Sequence, residues 1–93
     1  MQWKVKITDE FEKSIKGLRP FILKKIDKTI SLLKQNPYVG KQLRPPYKHL
    51  WEIKINRRFR LYYEIYERQQ LILLRAFYPR GLQKRYLRKR IKF

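Results

Sequence analysis

The chain has 93 residues, the size of one domain, and its 43% hydrophobic and 15% aromatic content excludes wholesale disorder. It has no cysteine and one histidine, which excludes disulfides, thiolate metal sites, cysteine nucleophiles and a two-histidine acid–base pair. Twenty-five lysines and arginines stand against seven acidic residues, and the resulting charge of +18 raises the energy of the compact state by self-repulsion unless the partner is a polyanion.

The N-terminal run MQWKVKITDEFEK carries charges where a secretory leader needs an apolar stretch. No segment approaches the roughly 18 apolar residues of a membrane span. The expectation is a soluble cytoplasmic protein of one domain, 1–93, with no membrane contact. Residues 2–7 alternate, with Trp3, Val5 and Ile7 against Gln2, Lys4 and Lys6, which predicts a half-buried strand. Thr8, followed by Asp9 and Glu10, starts a helix with a capping hydroxyl and acids in its first turn. Phe11, Ile15 and Leu18 form its apolar stripe, and Gly17 and Pro20 mark the break. A second helix is predicted over about 20–35, with Leu23, Ile26, Ile30 and Leu33 on its buried face. Asn36-Pro37 stops it, and the two helices form a hairpin.

Gly40, Pro45 and Pro46 make 39–50 a loop, with a short extended piece at 42–44. Three strands follow, at about 50–56, 58–66 and 70–78. In the first, Trp51, Ile53 and Ile55 oppose Glu52 and Lys54; in the second, Phe59, Leu61, Tyr63 and Ile65 oppose Arg60, Tyr62 and Glu64. The third, LILLRAFY, is almost continuously apolar, as an interior strand is. After Glu67 there are nine basic residues and no acidic one, and LQKRYLRKRIKF reads as a short basic tail helix. The order is that of an α+β fold: an antiparallel sheet of about four strands, with the helical hairpin on one face.

Matching apolar faces fixes the pairing parity of the first two of these strands. A loop of Asn56-Arg57-Arg58 sets Ile55 opposite Phe59, Lys54 opposite Arg60 and Glu52 opposite Tyr62. Like charges directly across a strand pair are destabilising, so Lys54 against Arg60 is a local violation, on the face away from the helices. A phosphate between them would relieve it, as would side chains splayed into solvent. Tyr62, Tyr63, Tyr66 and Tyr78 interleave with cations, which suits either base stacking or a β-rich core. His49 reads as a loop histidine.

The run LRPPYKHLWEIKINRRFRLYYEI, followed by LILLRAFYPRGLQKRY, resembles the RelE/ParE toxin superfamily. The signature pieces are Leu43-Arg44, Trp51 to Ile55, Arg60-Leu61-Tyr62-Tyr63, Arg80 after the last strand, and Tyr86. The pattern covers 43–86 closely, and the β-α-α start extends it over nearly the whole chain. For RelE-type members the resemblance implies a toxin that acts as a metal-independent endoribonuclease without cofactor. It cuts mRNA in the ribosomal A site by attack of a 2′-hydroxyl on the neighbouring phosphate, and so inhibits translation. Carried over by position, Lys54 contacts the phosphate and Arg60 stabilises the pentavalent transition state. Arg80 protonates or stabilises the leaving group, and Tyr86 stacks on or activates the nucleotide. Glu52 stands where well-characterised RelE enzymes have a second lysine, which leaves the general base open between Glu52, Tyr86 and a lysine. Arg57, Arg58, Tyr62, Lys84, Arg85 and Arg88 are the expected RNA contacts. The implied partners are an acidic antitoxin, the ribosome and mRNA. Two rivals remain: a ParE-like toxin acting on DNA gyrase, and a non-catalytic RNA- or ribosome-binding module.

Overall fold

The computed structural model describes residues 2–81. In chain order the elements are β1 (Lys4–Ile7), α1 (Asp9–Ser14), α2 (Pro20–Gln35), a single 3₁₀ turn at Pro37–Val39, β2 (Lys41–Gln42), β3 (Trp51–Ile55), β4 (Phe59–Tyr66) and β5 (Leu71–Pro79). The strands form one sheet in the order β1-β5-β4-β3-β2. The class is the expected α+β, with five strands rather than about four. Lys41 and Gln42 pair with Glu52 and Trp51, so the extended piece of the loop starts at 41 rather than 42. The sheet is also mixed: β1 runs parallel to β5, Lys4 beside Leu71 through Ile7 beside Leu74. Alternation within β1 reveals which residues face the core but not the direction of its neighbour, so the parallel pairing was hidden. The expected tail helix lies outside the described residues.

Each helix starts and stops for a local reason. Thr8 caps α1, its hydroxyl accepting from Phe11 N at 3.1 Å. Gly17, with φ +76°, supplies the left-handed turn that a side chain would resist. Pro20 opens α2, where its missing N–H costs nothing. The Asn36 side chain accepts from Tyr38 N at 3.0 Å and starts the 3₁₀ turn.

The main core lies between the helices and one face of the sheet: Phe11, Ile22, Ile26 and Leu33 against Ile55, Leu61, Tyr63, Ile72, Leu74 and Phe77. Two sequence expectations shift by a position or an end. The buried face of α2 runs through Ile22, Ile26, Ile30 and Leu33, while Leu23 turns to solvent, because i, i+4 from Ile22 is the stripe that meets the sheet. Trp3 and Val5 pack on the core as expected, whereas Ile7, at the far end of the edge strand, is 53% exposed. A chain of edge-to-face and stacked rings, Trp3–Tyr38–Trp51–Tyr63, ties the residue before β1 to the 3₁₀ turn, β3 and β4 at 5.5–6.4 Å between centroids. A smaller cluster lies elsewhere in the sheet: Leu50, Tyr62 and Ala76 are buried, with Leu43 and Tyr78 against them.

Candidate functional site

The register of β3 and β4 is the one that face-matching requires. Ile55 pairs with Phe59, Lys54 with Arg60 and Glu52 with Tyr62. On its other side β4 sets Arg60 beside Tyr78 and Tyr62 beside Ala76. One row across the sheet therefore reads Lys54–Arg60–Tyr78, and the next reads Lys41–Glu52–Tyr62–Ala76.

The like-charge pair resolves within the protein. Lys54 is exposed, while Arg60 is only 7% exposed and folds back on its own turn. Its Nη1 donates to the carbonyls of Arg57 and Phe59 at 3.1 and 3.0 Å, and its Nε lies 3.9 Å from Glu52 Oε1. Glu52 sits diagonally across the strand pair, close enough to compensate a guanidinium that is almost out of water. The open phosphate-binding pair expected from alternation is thus, at rest, a splayed lysine beside a buried arginine held by a carboxylate.

The cations at the end of the sheet are more open. Asn56 and Arg57 both take left-handed φ, 56° and 59°, to reverse the chain. Arg80 N donates to Arg58 O at 2.5 Å, extending the β4–β5 ladder beyond the Phe59–Pro79 pair. Arg57, Arg58 and Arg80 are all exposed there. Tyr62 departs from expectation: at 0% exposure it is packed with Leu50 and Ala76, so it presents no face for a base. His49 is exposed in its turn. Tyr86, Lys84, Arg85 and Arg88 lie outside the described residues.

Tyr78 is the neighbour of Arg60 that sequence reasoning did not place in the site. The ladder shifts register at Arg75: Tyr63 pairs with Leu74, but Tyr62 pairs with Ala76. Without that extra residue Arg60 would face Phe77. The bulge turns Phe77 into the main core and sets Tyr78 beside Arg60. Inside the apolar run LILLRAFY only the lone arginine hints at it. Arg75 reaches Glu10 at 3.8 Å and Glu64 at 3.9 Å. Burial, and secondarily Glu10, raise the Tyr78 pKa. The Tyr38, Tyr63 and Tyr66 pKa values also move upward. At these four, burial or a neighbouring carboxylate disfavours the phenolate.

A family model described as the ParE toxin of type II toxin–antitoxin systems matches residues 5–81. The chain belongs to this toxin family. The superfamily resemblance read from its motifs is thereby borne out. ParE-family membership goes with a fold also found in RelE structures. The toxin–antitoxin complex RelBE2 from Mycobacterium tuberculosis contains a chain 22% identical, with a TM-score of 0.78 over 86% of this chain and 100% of that one. A mutant of the Escherichia coli toxin RelE in the free state is 15% identical, also at 0.78, over 99% and 100%. The archaeal RelE–RelB complex from Pyrococcus horikoshii is 17% identical, at 0.70, over 87% and 98%. At these identities the likeness is one of fold. No curated protein matches the sequence.

Proposed function

We propose that this toxin is a ribosome-dependent endoribonuclease that cuts mRNA in the A site and is neutralised by an acidic antitoxin. The observation that carries the reading is the row Lys54–Arg60–Tyr78 with Glu52 beside the Arg60 guanidinium. Cleavage by a 2′-hydroxyl needs cations at the phosphorane and a proton acceptor. An incoming phosphate takes the guanidinium over from Glu52. The freed carboxylate then accepts the 2′ proton as the 2′ oxygen bonds to phosphorus. The bond between phosphorus and the 5′ oxygen breaks; Arg80 stabilises the charge on the departing oxygen, which takes a proton from Tyr86 or from water. The products are a 2′,3′-cyclic phosphate and a 5′-hydroxyl end. The antitoxin reading is supported by family membership, by the RelBE and RelE–RelB complexes among similar structures, and by the +18 charge.

Primer extension on translated mRNA tests the cleavage. Wild type is expected to give A-site breaks. Arg60→Ala, checked for folding by circular dichroism, is expected to slow single-turnover cleavage by about two orders of magnitude. Arg60→Lys restores charge but not the two-pronged guanidinium and recovers the rate only partly. Cleavage by folded Arg60→Ala at the wild-type rate would dismiss this site and leave a binding module. The second reading is a ParE-like toxin acting on DNA gyrase. It is favoured by the family model and by the burial of Arg60, which a purely structural arginine would also show. Inhibition of gyrase supercoiling without mRNA breaks would establish it instead.

A further inference from the structure

Where the α1–α2 connection meets the β3–β4 turn, a cleft of about 680 Å³ opens on the helix side of the sheet. Arg19, Arg57 and Arg58 line it together with Phe21 and Phe59, and no acidic residue does. Among the described residues the carboxylates that pair with arginine are Glu52, Glu10 and Glu64, and they take Arg60 and Arg75, leaving these three guanidiniums without an ion pair. Phe21 is 52% exposed, although it adjoins the buried Ile22. Folding therefore leaves a phenyl ring in water beside three unneutralised arginines, a combination that suits a stacked base and its phosphate. The cleft also touches the candidate site: the backbone carbonyl of Arg57 accepts from Arg60 Nη1, and Arg57 is among the residues that line the cleft.

We propose that this cleft holds one nucleotide of single-stranded RNA, on a strand that passes around the β3–β4 turn from a phosphate at Lys54 and Arg60 on the other face of the sheet. The guanidiniums of Arg19, Arg57 and Arg58 grip its phosphate and Phe21 stacks its base. The identity of the strand rests on the mRNA-cleaving reading; the chemistry of the cleft does not. An acidic peptide would satisfy the arginines, but peptide helices dock through several apolar anchors in series along a groove, and this cleft is confined to one end of the molecule.

The test uses the full chain and a labelled single-stranded RNA hexamer, without ribosomes. Amide shifts are expected at 17–22 and 56–59. Phe21→Ala should weaken binding about tenfold, while Phe21→Tyr binds like wild type. Arg19→Ala and Arg57→Ala should each weaken binding, and together they should flatten the dependence of log K on log salt by about 0.7, the share of the one phosphate they hold. Since Phe21 is exposed, the alanine variant is not expected to unfold. Wild-type affinity in Phe21→Ala, or shifts confined to 52–54, 60 and 78–80, would overturn the proposal. So would a glutamate hexapeptide that binds in the cleft more tightly than the RNA. If the hexamer occupies the cleft but translated mRNA is not cut, the catalytic reading falls and the cleft stands. The reverse result removes the cleft alone.

Discussion

Tyr63 shows how one side chain fixes the floor of the sheet. It is buried, stacks on Trp51, and donates its hydroxyl to Pro37 O at 2.7 Å, bringing the 3₁₀ turn down on β4. Gly40 leaves room for that hydroxyl: a β-carbon there would press on Tyr63 Oη and sit 2.8 Å from Glu52 O. Gly40→Ala should destabilise by about 1–3 kcal/mol, as overpacking does, measured by urea denaturation. Burial pushes the Tyr63 pKa up to about 12, a backbone hydrogen bond to Gly40 opposing part of the rise. The folded state therefore keeps a proton that the unfolded chain loses near pH 10. The stabilisation is complete below pH 10 and is lost as pH climbs to 12. Tyr63→Phe leaves the Pro37 carbonyl unpaired, a cost of about 1–3 kcal/mol at neutral pH. The gap in Tm between wild type and Tyr63→Phe should shrink from pH 10 to 12. The difference between the two proteins cancels the lysines that titrate in the same range. A gap constant across that range would show that the hydroxyl is not the titrating group.

At the scale of elements, strand β5 is completed by hydroxyls as well as by strands. β1 covers it only through Leu74. Beyond that point Thr8 Oγ1 donates to Leu74 O at 3.0 Å and to Arg75 O at 3.3 Å, and Ser14 Oγ accepts from Phe77 N at 3.1 Å. The first helix thus satisfies the open edge of a strand at its bulge. Thr8→Val keeps the branched shape but loses the helix cap and these bonds, an expected cost of about 1–3 kcal/mol, with Thr8→Ser close to wild type in the same denaturation experiment. Alternation in β3 and β4 made their register readable to the residue, because one face is apolar and the other is not. It made Lys54–Arg60 readable for the same reason. In β5 both kinds of position are apolar, so the bulge at Arg75, and with it Tyr78 beside Arg60, was masked. The burial of Arg60 was unreadable because the turn carbonyls that hold it come from backbone geometry at Arg57 and Phe59.

For the whole molecule the charge of +18 is the largest single physical fact, and it acts on stability and on binding with opposite signs. The described ion pairs draw on Glu10, Glu52 and Glu64, so most of the positive charge is left to repel itself. Added salt screens that repulsion, since the Debye length falls from about 10 Å at 0.1 M to about 3 Å at 1 M. Tm should accordingly rise with salt. A polyanionic partner supplies the same relief by contact, and an acidic antitoxin segment that orders on the basic half should raise Tm and slow hydrogen exchange over residues 50–81. Protection limited to 9–35 would contradict that placement. RNA and ribosome affinity should move the other way. Each phosphate contact of a single strand releases condensed counterions, so log K should fall with log salt by about 0.7 per contact. Lys54, Arg57, Arg58 and Arg80, all exposed at one end of the sheet, give a slope near −2 if Arg57 and Arg58 share one phosphate and Lys54 and Arg80 take one each. Replacing all four with glutamine should reduce the slope toward zero while raising Tm at low salt, because the same charges that bind the partner oppose folding. A slope that stays near zero in the wild type, with Tm still climbing in salt, would mean that the charge serves no polyanion at all.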